Sequence, residues 1–170
     1  MKNLLIIAIS LLITTTSFGQ NGKILTEPGL KKLSVFLGTW KSQSEGAKDQ
    51  FAIYTCRWSV NGKYLVCDQI VTDGEKKTNN LAIYSYNAVR DTYKLSLVGI
   101  PGADPFAIPV TYKSDELVYS GDYMQDGKKV YTRTLNTFIS RSYYIYKVQS
   151  SKDSINWTIS IAGKAVKIAE

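Results

Sequence analysis

The sequence predicts an all-β domain: an antiparallel up-and-down barrel of about ten strands, opened by one short helix. Three observations predict it. Tyr, Val, Ile, Thr and Trp dominate the chain after Gly38. Turn residues recur about every ten positions, the spacing of short strands. Successive runs alternate apolar and polar side chains, as half-buried strands do. A long meander of hairpins closes most economically into a barrel, because closure removes sheet edges. A two-sheet sandwich is the alternative.

The chain opens with the three parts of an export signal. Lys2 is the positive start, Leu4 to Ile13 is an apolar run interrupted only by Ser10, and Thr14 to Gly19 is polar and small. Ser17 and Gly19 stand at the −3 and −1 positions of a cut before Gln20. The apolar run is shorter than the roughly 20 residues of a membrane span, and no later stretch approaches that length. Residues 1–19 therefore read as a signal peptide and 20–170 as one domain, exported to a periplasmic or extracellular space. The first cysteine is Cys56, so the cut is not followed by the cysteine of a lipid-anchored protein.

In the domain, Thr26-Glu27-Pro28-Gly29 opens a short helix that ends before Gly38. Leu30, Leu33 and Leu37 share a face, with Phe36 beside it. A short strand follows at Thr39. Phe51 to Val60 and Lys63 to Thr72 flank Asn61-Gly62, a strong hairpin signal. A two-residue loop there sets Cys56 opposite Cys67 and Trp58 opposite Leu65. Thr55, Arg57, Ser59 and Asp68 fall on the wet face. The cysteines then form a hydrogen-bonded pair with Cα atoms about 5.5 Å apart, within disulfide range. Two cysteines in an exported chain suggest one such bond.

Lys76 to Tyr86 and Thr92 to Gly99 form the next two strands. Tyr84 and Tyr86 share an inward face with Tyr93, Leu95 and Leu97, while Lys94 and Ser96 face the other way. Gly99 to Pro109 holds three of the four prolines and reads as a loop or rim segment, with a short strand starting near Ala107. Glu116 to Met124 and Lys128 to Phe138 form a hairpin around Asp126-Gly127. Which of its faces points inward is left open by the pattern, and with it the place of Asp122 and Arg133. Asp122 and Arg133 are diagonal neighbours: an inward Arg133 would offer a ligand anion a planar fork of donors, and an outward one would form a solvated surface pair with Asp122. Ser142 to Ser150 and Ile155 to Ala162 form the last hairpin, around Lys152-Asp153. That turn sets Val148, Tyr146 and Tyr144 opposite Trp157, Ile159 and Ile161 on one apolar face, with Lys147, Gln149, Thr158 and Ser160 on the other. A final strand is expected near Ala165.

Composition removes several chemistries. The chain has no histidine, so the usual general base near neutral pH and all Ser–His and Cys–His pairs are missing. With the two cysteines bonded to each other, a zinc site has neither of its commonest ligands. No phosphate loop, dinucleotide fingerprint or calcium loop occurs, so no cofactor, metal or catalytic residue is expected. Carboxylates mostly mark turns, and Asp68 lies diagonal to Arg57 as a surface pair. The net charge of +7 comes from scattered lysines, including Lys31–Lys32, Lys76–Lys77 and Lys128–Lys129. They form no stripe, and an exported chain without a recognition motif gives no reason to expect nucleic acid.

Gly38-Thr39-Trp40, following a short helix, resembles the G-x-W start of lipocalin-like (calycin) barrels. With Trp58-Ser59-Val60-Asn61-Gly62-Lys63-Tyr64-Leu65, then Ile83-Tyr84-Ser85-Tyr86-Asn87 and Tyr93, the chain looks like a bacterial lipocalin-like family that carries a domain-of-unknown-function label. The resemblance implies a barrel with an interior cavity, one end closed by Trp40. Many lipocalins pack an Arg from the last strand over that Trp. The last strand here offers none, since Arg133 and Arg141 lie earlier. Nitrobindin-like barrels share the start but hold haem through a histidine, which this chain lacks.

The expected function is non-enzymatic binding of a small apolar or amphipathic molecule. The candidate cavity residues are Trp40, Trp58, Tyr84, Tyr86, Leu97, Arg133, Tyr144, Tyr146 and Trp157. The alternatives are an interaction module with a packed barrel, and a histidine-independent enzyme using Tyr, Asp and Arg. The export reading has its own test: N-terminal sequencing of the mature protein should begin at Gln20, and an intact Met1 end in a cell-envelope fraction would overturn it.

Overall fold

The computed structural model describes residues 28–100 and 106–170. The signal expected over 1–19, the Thr26-Glu27 start of the helix, and Pro101, Gly102, Asp104 and Pro105 lie outside the described residues. A helix, α1 (Pro28–Lys32), runs into a 3-10 turn (Leu33–Phe36). Ten strands follow: β1 (Gly38–Ser44), β2 (Gln50–Trp58), β3 (Tyr64–Asp73), β4 (Lys76–Asn87), β5 (Thr92–Val98), β6 (Phe106–Lys113), β7 (Glu116–Gln125), β8 (Lys128–Ser140), β9 (Tyr143–Ser151) and β10 (Thr158–Ala169). Each pairs antiparallel with its sequence neighbours, and β1 pairs with β10 to close the barrel. Among the described residues no helix is long and apolar enough to cross a membrane.

The helix is a plug. Leu30, Leu33 and Phe36 are buried while Lys31 and Lys32 are exposed, so the short segment presents one apolar face to the barrel end. It is held tightly: the Tyr93 hydroxyl donates to the Gly29 carbonyl at 3.0 Å, and a Cβ at Gly29 would collide with the Tyr86 ring. Gly38 then turns the chain into β1 at φ +96°, a region that L side chains rarely adopt. Any side chain there would also meet the Ala169 carbonyl of the closing strand.

The β2–β3 hairpin has the expected register, with Cys56 opposite Cys67 and Trp58 opposite Leu65. Its turn is different. Ser59 N donates to Tyr64 O and Gly62 N to Ser59 O, so the strands part at Ser59 and Val60-Asn61 form the turn's centre, with Gly62 following at φ +66°. The Asn61 side chain holds the loop by accepting from Ser59 Oγ and Lys63 N. This longer loop keeps the pairing but shifts the hydrogen-bonding phase by one. Cys56 and Cys67 therefore occupy a non-hydrogen-bonded pair, where side chains lie closer. Their Cα atoms are 4.0 Å apart, and they form a disulfide.

Of two further expectations, one is met and one is corrected. The short strand expected near Ala107 is β6, which starts at Phe106. Phe106 to Pro109 pair with β5 alone, and the ladder to β7 starts only at Val110, so Pro109 sits where its missing donor is tolerated. The last hairpin does not turn at Lys152-Asp153. The Asp153 carboxylate accepts from Ile155 N, Asn156 N, Asn156 Nδ2 and Ser151 Oγ, which organises a broad loop ahead of Thr158. The strands therefore pair four residues further on. Val148, Tyr146 and Tyr144 face Ile161, Gly163 and Ala165, not Trp157, Ile159 and Ile161. A bulge between Ile159 and Ile161 reverses the alternation, so Ile159 pairs with outward Gln149 and is 49% exposed. The segments expected separately at Ile155 and Ala165 form one strand.

The disulfide spans a sequence separation of 11 that the hairpin already constrains. Reducing it should cost about 2 kcal/mol, the low end for such bonds, without opening the barrel. A thiol titration of the native, unreduced protein should find none, and two free thiols would refute the pairing.

Candidate functional site

The inward side chains do not fill the barrel. A cavity of about 470 Å³ remains, with Phe36 of the plug at one end. Its walls are mostly apolar: Ala52, Val71, Leu95, Leu97, Ile108, Val148 and the Cys56–Cys67 disulfide. The residues Ser44, Gln50, Asp73 and Ile161, beyond Ala52 and Val71, mark the side away from the plug. Among the described residues, no lysine, arginine, aspartate or glutamate lines the cavity itself.

Its polar atoms are neutral and concentrated. Tyr54 and Tyr144 share a hydrogen bond between their hydroxyls, as do Tyr84 and Tyr119 at 3.0 Å. Asn136 Nδ2 donates to the Tyr119 hydroxyl at 3.3 Å, and the Tyr146 and Ser44 hydroxyls are 3.1 Å apart. These rings come from β2, β4, β7 and β9, so only the closed barrel brings them together. Pairing satisfies each buried phenol, as a buried Tyr requires. Burial also disfavours the phenolate. It pushes Tyr84 up to about 12, against the opposing effect of the bond to Tyr119. Tyr54, Tyr119 and Tyr144 are raised as well, burial being the largest cause; neighbouring phenols add to it at Tyr54 and Tyr119, while at Tyr144 the bond with Tyr54 opposes it.

The closed end is a second aromatic layer. Trp40 is fully buried, lies parallel to Tyr54, and donates from Nε1 to the Phe36 carbonyl at 2.9 Å. Phe36 stacks on Tyr84 and meets Phe138 and Tyr144 edge-on. Lys167, opposite Trp40 across the β1–β10 seam, holds its ammonium 5.3 Å from the indole centre. A cation from the last strand thus covers the tryptophan although that strand has no arginine.

The structure separates the nine expected cavity residues into three groups. Tyr84, Leu97, Tyr144 and Tyr146 line the cavity. Trp40, Trp58 and Tyr86 do not: they pack at the closed end, where Tyr86 lies against Tyr93 and donates to Asp91 at 2.8 Å. Arg133 and Trp157 are on the outer wall. Thr134 and Asn136 point inward, so by alternation Arg133, next to Thr134, points out, where Nε donates to Gln149 Oε1 at 2.6 Å and the guanidinium sits 4.0 Å from the Trp157 ring centre. Trp157 left the interior because its residue precedes the bulge in β10 and belongs to the Asp153 loop. Asp122 pairs with Lys129, not Arg133, and Arg57 with Asp68 as expected.

Tyr54, Tyr119, Gln69 and Asn136 were not singled out from sequence. Tyr54 shares the parity of Cys56 and Trp58, a signal that could have found it. Gln69 shares the parity of Leu65 and Cys67, a signal that could have found it too, whereas Asn136 lies on the strand whose inward face the pattern left open, because polar side chains on an inward face break the very alternation used to locate that face. In comparisons with known proteins, the sequence matches no family model and no curated protein. The class is therefore defined by the fold and cavity: a closed ten-stranded antiparallel barrel with a helical plug, a disulfide in its wall and an uncharged interior.

The raised phenols make a pH prediction. A folded-state value above the unfolded one, about 10, means the native state retains protons that the unfolded state loses. The stabilisation is complete below about pH 10 and falls as pH rises toward about 12. Near-ultraviolet phenolate absorbance should stay incomplete until the barrel unfolds in alkali. Tyr84→Phe should cost about 1 kcal/mol at neutral pH and flatten the alkaline loss. Full ionisation of all tyrosines with the fold intact would contradict this arrangement.

Proposed function

We propose that the protein is an exported lipocalin-like carrier that binds a small apolar or amphipathic molecule inside the barrel, without catalysing a reaction on it. The observation that carries this reading is the cavity: about 470 Å³, mostly apolar, with a few converging polar groups. Such a combination is the usual make-up of a small-molecule site, apolar walls supplying affinity and a few polar atoms fixing orientation. The disulfide and the export signal at Met1 to Gly19 support a place outside the cytoplasm. The G-x-W start at Gly38, the plug and the cation over Trp40 support the lipocalin-like assignment.

Fluorescence titration with N-phenyl-1-naphthylamine, an uncharged apolar fluorophore, tests the reading. Saturable binding at one site is expected. Val71→Phe and Val148→Phe, which narrow the cavity, should each weaken it by roughly tenfold or more, while Trp157→Phe on the outer wall should leave it unchanged. Folded protein that binds no probe, or binding that ignores both cavity variants, would favour the packed interaction module instead.

A further inference from the structure

We infer that the ligand is an uncharged amphiphile whose hydroxyl or amide head enters the cavity and bonds to its neutral polar side chains, with the apolar remainder filling the rest. This rests on the binding reading above and names the ligand class. Three features of the cavity carry it.

The first is the lining itself, which among the described residues contains no ionisable side chain other than tyrosines. An ammonium or carboxylate drawn into such an interior gives up its water and meets no opposite charge, the costliest kind of burial. Among the described residues the acid beside the cavity is Asp73, on the side away from the plug. Basic side chains such as Arg133, Lys147 and Lys164 project from the outer wall, where they cannot reach an enclosed head group.

The second is a set of free polar atoms. Ser42 on β1, Gln69 on β3 and Thr134 on β8 line the cavity, and their side chains make no hydrogen bond to the described protein. Their hydroxyls and amide offer both donors and acceptors, which matches an alcohol or an amide and not a group that only donates or only accepts. Tyr54 lies opposite Gln69 across the β2–β3 ladder, and Tyr119 opposite Thr134 across β7–β8. Free and paired polar groups thus form one neutral belt around the cavity.

The third is the fixed protonation of that belt. Tyr54 and Tyr144 bond to each other and Tyr84 to Tyr119, and all four are buried, which disfavours the phenolate, so these phenols stay as O–H groups and do not become a counter-charge for a cation. They would keep accepting and donating to a neutral head across the ordinary pH range.

Isothermal titration with four ten-carbon ligands tests the inference: decanol, decanamide, decanoate at pH 8 and decylammonium. The alcohol and amide should bind, and both ions should bind at least tenfold more weakly. Decanoate should gain affinity as the pH falls through its own pKa and it becomes the neutral acid. Gln69→Leu and Thr134→Val, each checked for an unchanged melting temperature, should weaken the alcohol and amide roughly tenfold together while leaving N-phenyl-1-naphthylamine binding intact. If Gln69→Leu unfolds the barrel, Ser42→Ala provides the same comparison. Ions that bind as tightly as the alcohol at pH 8, or neutral ligands indifferent to the belt variants, would overturn this inference and leave the carrier reading standing. A protein that binds neither the fluorophore nor any of the four would overturn both.

Discussion

Trp40 is the point on which the closed structure depends. It sits in β1, the strand that must pair with both its successor and the last strand for the sheet to become a barrel. Its ring is fully buried, its N–H ties back to the plug at Phe36, its face lies over Tyr54, and Lys167 of the closing strand covers it. Plug, first strand and last strand therefore meet on one side chain. A lysine does the work that an arginine would do by cation–π attraction alone, without the planar fork an arginine would add. Glycine at 38 allows this meeting, since the backbone there is left-handed and pressed against the Ala169 carbonyl.

Closure at that end leaves the rest of the interior underfilled. Aromatic rings pack the floor, but above them Ala52, Val71 and Val148 are too small to meet across the barrel, and the cavity lies between them. The tyrosines reconcile burial with polarity. Each deep phenol finds another phenol, so four polar groups are satisfied without importing a charge. The outer wall handles charge in the opposite way, with Arg57–Asp68 and Asp122–Lys129 as solvent-exposed pairs that contribute little. The described residues thus divide between a neutral cavity lining and an ionic outer wall.

The hairpins were legible because their information is local. Alternation placed Tyr84, Leu95, Leu97 and Tyr93 on one face, and the Asn61-Gly62 signal set Cys56 against Cys67 even though the loop proved longer than two residues. Lengthening a loop symmetrically preserves which residues face each other. The β9–β10 connection failed the same reasoning because its lengthening is one-sided. Asp153 gathers four donors from the residues around it, and the following bulge flips the face of everything before Ile161. Trp157 moved to the outer wall for that reason, onto Arg133.

By itself the sequence determined the all-β class, the strand succession, the plug face of Leu30 and Leu33, the cysteine pairing and the absence of histidine chemistry. Each follows from residue type and short-range spacing, which fold locally whatever the rest of the chain does. Only the tertiary structure decided that the meander closes, that a void survives inside it, and which polar residues face that void. Tyr54 and Tyr144 are far apart in sequence, as are Tyr84 and Tyr119, and Lys167 reaches Trp40 only across the closing seam. Such contacts depend on where distant strands come to lie around the barrel, and that arrangement is set by the register of every hairpin at once, including the bulge at β10 that local periodicity could not reveal.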